Sequence, residues 1–187
     1  MDFNCSSYKI VLCGDQRVGK TCIVHRVIHN EFNVNARQTI GADFFSQIIN
    51  TSVQPVKLHI WDTAGQEKYQ AVASIYFRTA ALALVVYDVT AVNSIEVVSF
   101  WVKKVKEVEP LANIFVAGNK IDLVAVPSPT IEEWCKNQSI PHFYCSALRN
   151  EGVHTIFNRI AEEVSSRPHQ KCVNQKMIEK ESSFCLC

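Results

Sequence analysis

The sequence predicts an α/β fold: a six-stranded, mainly parallel sheet with one antiparallel edge strand and helices on both faces. Short apolar runs alternate with helix-period segments along most of the 187 residues. The runs 43–50 and 56–61 are joined too tightly for a crossover helix, so they pair as an antiparallel hairpin at one edge. The first run leads directly into a glycine-bearing turn and a helix, which places a ligand at the carboxyl ends of the strands.

The strand candidates are 8–13, 43–50, 56–61, 81–87, 113–118 and 141–145. The first helix covers about 20–30, with Ile23, Val24, Val27 and Ile28 on one face. After Asn93, residues Ile95, Val98, Val102 and Val105 recur at helical spacing, and Pro110 ends the run because it has no N–H and clashes with the preceding turn. Residues 130–137 form a short helix opened by Thr130, and Val153, Ile156, Ile160 and Val164 make a last amphipathic stripe. From Ser165 onward the pattern fails. The expected organisation is an N-terminal extension over 1–7, one domain over 8–165 and a polar, flexible tail over 166–187.

The net charge is +1 with no long block of like charge, so no nucleic-acid partner is indicated. The longest apolar stretch, Ala80 to Tyr87, is far below the roughly 18 residues that suggest a membrane span. Met1-Asp2-Phe3-Asn4 begins no basic leader segment, and no secretion is inferred. Cys5, Cys13, Cys22, Cys135, Cys145 and Cys172 are scattered, without a C-x-x-C pair or a histidine at ligand spacing. They read as small buried hydrophobes in a reducing cytosol.

Chemistry enters at Gly14-Asp15-Gln16-Arg17-Val18-Gly19-Lys20-Thr21, a G-x-x-x-x-G-K-[ST] pattern between strand and helix. Its glycines let successive N–H groups face phosphate oxygens, Lys20 supplies a cation, and the Thr21 hydroxyl can ligate Mg²⁺. The cradle extends to Cys22 in the first helical turn. After the third strand stands Trp61-Asp62-Thr63-Ala64-Gly65-Gln66-Glu67. Asp62 can hold Mg²⁺ through a water, Gly65 can donate its N–H to a γ-phosphate, and Gln66 can orient an attacking water. Thr39, in the loop from Glu31 to Ala42, can complete the Mg²⁺ shell only while a γ-phosphate is present, which makes that loop a sensor.

Asn119-Lys120-Ile121-Asp122 follows the fifth strand and selects the base. The Asp122 carboxylate can accept from guanine N1–H and N2–H₂, whereas adenine leaves a buried charge unpaired, a mismatch worth ~10⁴-fold. Ser146-Ala147-Leu148 closes the site, with the Ala147 N–H reaching guanine O6.

These five elements, in this order, resemble the Ras superfamily of small GTPases, a P-loop NTPase fold, over residues 8 to about 165. The Rab branch is the most similar, through Ile40-Gly41-Ala42-Asp43-Phe44, Lys57-Leu58-His59-Ile60-Trp61, Tyr76-Phe77-Arg78 and Val85-Val86-Tyr87-Asp88-Val89-Thr90. The resemblance implies that Phe44, Trp61 and Tyr76 form the aromatic trio shown to effectors, and that Phe32 packs edge-on against guanine. It implies Mg²⁺ as cofactor, GTP and GDP as substrate and product, and Lys20 and Gln66 as the catalytic pair. An exchange factor, a GTPase-activating protein and effectors are the implied partners.

The tail ends Phe184-Cys185-Leu186-Cys187, similar to the doubly geranylgeranylated Rab terminus. Two lipids hold a protein on a bilayer where one gives reversible attachment. Prenylation proteins, a lipid-shielding chaperone and residence on the cytoplasmic face of endomembranes, cycling with the cytosol, follow from that resemblance. Lys68-Tyr69 and Thr79 depart mildly from the pattern, a change in which regulators fit, and three positions depart more strongly. Gln16 and Arg17 replace glycines or small residues, and Leu148 replaces a lysine stem over the base. The expected function is a Rab-like membrane switch that recruits effectors in vesicle trafficking and hydrolyses GTP slowly. The alternative is a GTP-binding module that hydrolyses very slowly or not at all. A P-loop ATPase or kinase is opposed by Asn119 to Asp122.

Overall fold

Successive side chains of a strand face opposite ways, and in this chain the inner strands bury residues on both faces, which calls for helices on each side. The computed structural model describes residues 5–32, 38–65, 75–124 and 129–166. In β1 (Ser6–Cys13), Tyr8, Ile10 and Leu12 enter one core. Leu58 and Ile60 of β3 (Val56–Thr63) and Leu82, Leu84 and Val86 of β4 (Leu82–Asp88) join them there. Helices α1 (Lys20–His29) and α4 (Val153–Ser165) cover that face. Val11, Cys13, Ala83 and Val85 point the other way, under α2 (Ser94–Val108) and α3 (Thr130–Asn137). Each fully buried aliphatic side chain contributes about 1.5–3 kcal/mol, so the alternation fixes which face meets which helix.

The sheet order is β2-β3-β1-β4-β5-β6. Strand β1 pairs parallel with both β3 and β4, β4 with β5 (Asn113–Asn119), and β5 with β6 (His142–Tyr144). Strand β2 (Ala42–Ile49) alone runs antiparallel, at the edge, with Phe44 opposite Trp61. The chain leaves β1 toward β3 on one side and β4 on the other, so a crevice opens beyond the carboxyl end of β1.

Several boundaries differ from the sequence expectation. Strand β1 starts at Ser6, and β6 is limited to His142–Tyr144 because Pro141 has no N–H for the ladder. Helix α2 ends at Val108, before Pro110, and buries Trp101 as well as Val98, Val102 and Val105, while Ile95 is only partly buried. Cys13, Cys135 and Cys145 are buried hydrophobes, but Cys5 and Cys22 are not. Cys5 precedes β1 at the margin of the sheet, where its thiol donates to the Pro55 carbonyl at 3.1 Å. Cys22 lies beside the phosphate-loop threonine, on the part of α1 that the core leaves half-covered. Among the described residues no helix is long and apolar enough to cross a membrane, and no cluster of three His, Cys, Asp or Glu side chains could hold a metal. Gln66, Cys172 and the tail beyond Ser166, with Cys185 and Cys187, lie outside the described residues.

Candidate functional site

The turn between β1 and α1 needs glycine at two points. Gly14 and Gly19 have φ of +138° and +97°, and a Cβ would stand 2.1 Å from the Val86 carbonyl oxygen at the first and 2.3 Å from Asn119 Nδ2 at the second. Arg17 also lies in the left-handed region, at φ +62°, a cost of about 1–2 kcal/mol for a residue with a side chain. Gln16 and Arg17 are exposed, whereas Val18 is buried. The Lys20 ammonium lies buried along the loop and donates to the carbonyls of Gly14 (2.8 Å) and Asp15 (2.7 Å). Burial lowers its pKa, and the nearby Asp62 carboxylate opposes that shift. Asp15 is held on its other side by the indole N–H of Trp101, at 2.9 Å from Oδ1.

Three oxygens converge beside Lys20. The Thr21 hydroxyl donates to Asp62 Oδ2 at 2.5 Å and lies 3.0 Å from Thr39 Oγ1, which is itself 3.4 Å from Asp62 Oδ2. Asp62 is fully buried, and its Oδ1 has no partner among the described residues. Burial pushes its carboxyl up to about 6, against the Thr21 hydrogen bond and the Lys20 charge. Hydroxyl and carboxylate oxygens around an under-satisfied buried anion are the donor set of a hard divalent cation. The residues therefore fit Mg²⁺.

The loop carrying Thr39 is tied to the end of β3, because the Ala64 N–H donates to the Gly41 carbonyl at 2.8 Å. Gly65 presses on the phosphate loop: a Cβ there would stand 2.4 Å from the Asp15 carbonyl and 2.5 Å from the Gln16 nitrogen.

At the other end of the crevice the Asn119 amide joins two loops. Its Nδ2 donates to the Val18 carbonyl (2.8 Å), and its Oδ1 accepts from the Ala147 N–H (3.1 Å). That N–H, expected to point at a base oxygen, is thus already engaged, and a base would share it as a three-centre bond. Asp122 Oδ1 accepts from the Ser146 hydroxyl at 2.5 Å. Lys120, at φ +70°, reaches Asp88 Oδ2 at 2.6 Å. Burial works against the Asp88 carboxylate, but the bonds from Lys120 and Thr90 outweigh it and hold its carboxyl below the usual range. Leu148 is half exposed, and Phe32 rests half-buried on the core under α1.

The aromatic trio forms a continuous stack: Phe44 to Trp61 is 5.3 Å between centroids, and Trp61 to Tyr76 is 5.5 Å. Trp61, however, is only 1% exposed, against 36% for Phe44. It supports Phe44 and Tyr76 from below and offers no surface itself. His59 stacks on Phe44 at 5.5 Å, and the Lys9 ammonium lies 5.1 Å from the Trp61 ring centroid.

Two residues of this region carried no sequence signal. Trp101 does not belong to the aliphatic stripe of α2, and Arg26 looks like any solvent-facing cation of an amphipathic helix. Only the fold brings Trp101 to Asp15, and Arg26 to the carbonyls of Ala147 and Leu148.

Comparison with known proteins agrees with this geometry. The sequence model of the Ras family matches residues 9–166. The Ras-related protein RABA3 of Arabidopsis thaliana is 39% identical over 179 residues, spanning 93% of this chain and 74% of that protein. The Ras-related protein Rab11D of Lotus japonicus is 37% identical over 161 residues, 84% of this chain and 74% of its own. The Ras-related protein YPTC6 of Chlamydomonas reinhardtii is 33% identical over 180 residues, 94% and 81% of the two chains.

Proposed function

The chain belongs to the Ras family as a Rab-type small GTPase, and we propose that it is a nucleotide-gated membrane switch whose gate is the Thr21–Thr39–Asp62 cluster. That cluster is the observation that carries the proposal. It joins the phosphate loop, the loop after α1 and the end of β3 through hydroxyl and carboxylate oxygens alone.

Thr21, Thr39 and Asp62 would hold Mg²⁺, Asp62 through a water, and the ion would neutralise charge on the β- and γ-phosphate oxygens. The backbone N–H groups of residues 14–19 grip the phosphates, and Lys20 adds its cation to the outer ones. Gln66 positions a water in line with the γ-phosphorus. Water attacks, the bond from phosphorus to the β–γ bridging oxygen breaks, and GDP and phosphate form. A GTPase-activating partner contributes an arginine to the same charge.

At the base end, Asn119, Lys120 and Asp122, with Ser146, Ala147 and Leu148, select guanine, and Phe32 borders the ring. With GTP bound, Thr39 is retained, and Phe44 and Tyr76 are offered to effectors. After hydrolysis Thr39 loses its reason to stay. An exchange factor then replaces GDP. Cys185 and Cys187 carry two prenyl chains, added by prenylation proteins and shielded in the cytosol by a chaperone. The switch thereby acts in vesicle trafficking on the cytoplasmic face of endomembranes. Replacing both cysteines with serine releases the protein to the cytosol with nucleotide binding intact.

Nucleotide competition and single-turnover hydrolysis test the core of this proposal. GTP, and not ATP, displaces fluorescent GDP, and hydrolysis is slow alone and accelerated by an activating protein. Thr39→Ala keeps GDP binding and loses GTP-dependent effector capture. Equal displacement by ATP would remove the guanine assignment, and effector capture by Thr39→Ala equal to wild type would remove the gate.

A further inference from the structure

We propose that Arg26 is a positioning residue for the base end of the nucleotide site, fixing the loop 146–148 to the helix that starts in the phosphate loop. The inference rests on the assignment of that loop to guanine given above. All three guanidinium nitrogens of Arg26 are used. Nε donates to the Ala147 carbonyl at 3.0 Å, Nη2 to the Leu148 carbonyl at 3.0 Å, and Nη1 to the Asn30 carbonyl at 2.8 Å. The first two acceptors are consecutive carbonyls of the base loop. The third is the carbonyl of the residue that caps α1.

The opposite side of the same loop is held by other groups. The Ala147 N–H donates to Asn119 Oδ1, and the Ser146 hydroxyl donates to Asp122 Oδ1. Ala147 is therefore gripped through its N–H by β5 and through its carbonyl by α1. A second tie runs parallel to the first, from Asn150 Nδ2 to Asn30 Oδ1 at 2.8 Å. Helix α1 carries Lys20 at one end and Arg26 near the other, about 9 Å apart along the axis at 1.5 Å per residue. One rigid element thus sets the spacing between the phosphate-binding cation and the loop that borders the base.

The choice of arginine follows from the acceptors. Two neighbouring carbonyls need two donors in a fixed fork, and a lysine ammonium gives a single centre. Leu148 makes the fork matter more. Its side chain has no donor of its own to anchor the loop, so its placement depends on its carbonyl.

The test uses the full chain loaded with mant-GDP, and reads release into excess GDP with Mg²⁺ present and again with EDTA. Arg26→Leu is expected to accelerate release on the order of 10- to 100-fold, the loss of two charge-assisted bonds that order the loop. The acceleration has the same factor in EDTA, because the phosphate end is untouched. Arg26→Lys falls between the two, and the unfolding midpoint of the loaded Arg26→Lys protein stays near wild type. Release by Arg26→Leu within twofold of wild type overturns the inference, as does an acceleration that vanishes in EDTA, which would place the effect at the phosphates. Should Arg26→Leu fail to fold, Arg26→Lys decides: release several-fold faster supports the inference, and wild-type release overturns it. A wild type that holds mant-ADP as well as mant-GDP removes the guanine assignment, and this inference falls with it.

Discussion

Trp101→Phe separates the packing of α2 from its grip on the phosphate loop. The indole is 1% exposed, meets Phe77 and Phe100 edge-on, and sends its N–H to Asp15 Oδ1 at 2.9 Å. Phenylalanine keeps most of the apolar contact but lacks the donor. A hydrogen bond to a half-buried carboxylate is worth about 1.5 kcal/mol, at the low end for charged acceptors because water reaches Asp15. The missing ring segment adds about 1 kcal/mol of lost packing. Their sum, about 2.5 kcal/mol, lowers the unfolding midpoint of a domain of this size by roughly 5–10 °C. Urea unfolding followed by circular dichroism, at one fixed GDP concentration, measures it for Trp101→Phe, Asp15→Ala and the double variant. The double variant is expected to be less damaged than the sum of the singles by about 1 kcal/mol. Additivity within about 0.3 kcal/mol would refute the argument, because the bond would then contribute nothing that packing does not.

Thr21→Asn removes the hydroxyl that faces Asp62 and Thr39; it should weaken GTP binding in Mg²⁺ by more than GDP binding, measured by competition against mant-GDP. Asp122→Asn exchanges an acceptor for an amide and should shift preference from guanine toward xanthine nucleotides, read by the same competition with XDP. Gln16→Gly should speed hydrolysis by ~10-fold or less, about 1.4 kcal/mol of barrier, and unchanged intrinsic and stimulated rates would show that the side chain turns away from the phosphate. Burial holds the His59 and His142 imidazoles below their usual range, with Lys57 adding to the first shift and Glu132 opposing the second. The folded state then binds fewer protons than the unfolded one, so stability is complete above about pH 6.5 and falls as pH drops below it. His142→Gln should flatten that slope in unfolding curves taken between about pH 5 and 8, and an unchanged slope would exclude His142 as its source.

Much of this molecule was legible because its information is local. Short apolar runs marked the strands, period-3.6 stripes marked the helices, and each strand end delivered its site residues as a short contiguous string. Gly14 and Gly19 could be read as glycines of necessity, since a phosphate-binding turn needs both conformation and space. What escaped the sequence was the wiring between strings. Arg26 bonds to carbonyls beyond residue 146, Trp101 to Asp15, and Asn119 to both Val18 and Ala147. Such bonds join side chains to groups far away in the chain and leave no periodicity. Trp61 escaped for another reason. The face of β3 that carries Trp61 also carries Lys57, His59 and Thr63, so alternation cannot say whether its aromatic ring ends beneath the surface or on it.

The two unusual residues of the phosphate loop are expected to act on different steps than the glycines around them. Positions where a Cβ meets backbone or a buried amide, Gly14 and Gly19, keep their glycine, so the cradle that binds phosphate is intact. Arg17 carries a conformational cost of about 1–2 kcal/mol at φ +62°, which lowers stability without filling the crevice, since its side chain is exposed. Gln16 is exposed as well, but its backbone nitrogen is what Gly65 presses against. Gly65 immediately precedes Gln66 in the sequence, so position 16 lies beside the start of the segment that carries the water-orienting amide. Gln16 is therefore expected to act on the rate of hydrolysis and its response to an activating protein, and affinity for GDP is expected to follow Lys20, the glycines and the base loop that Arg26 holds.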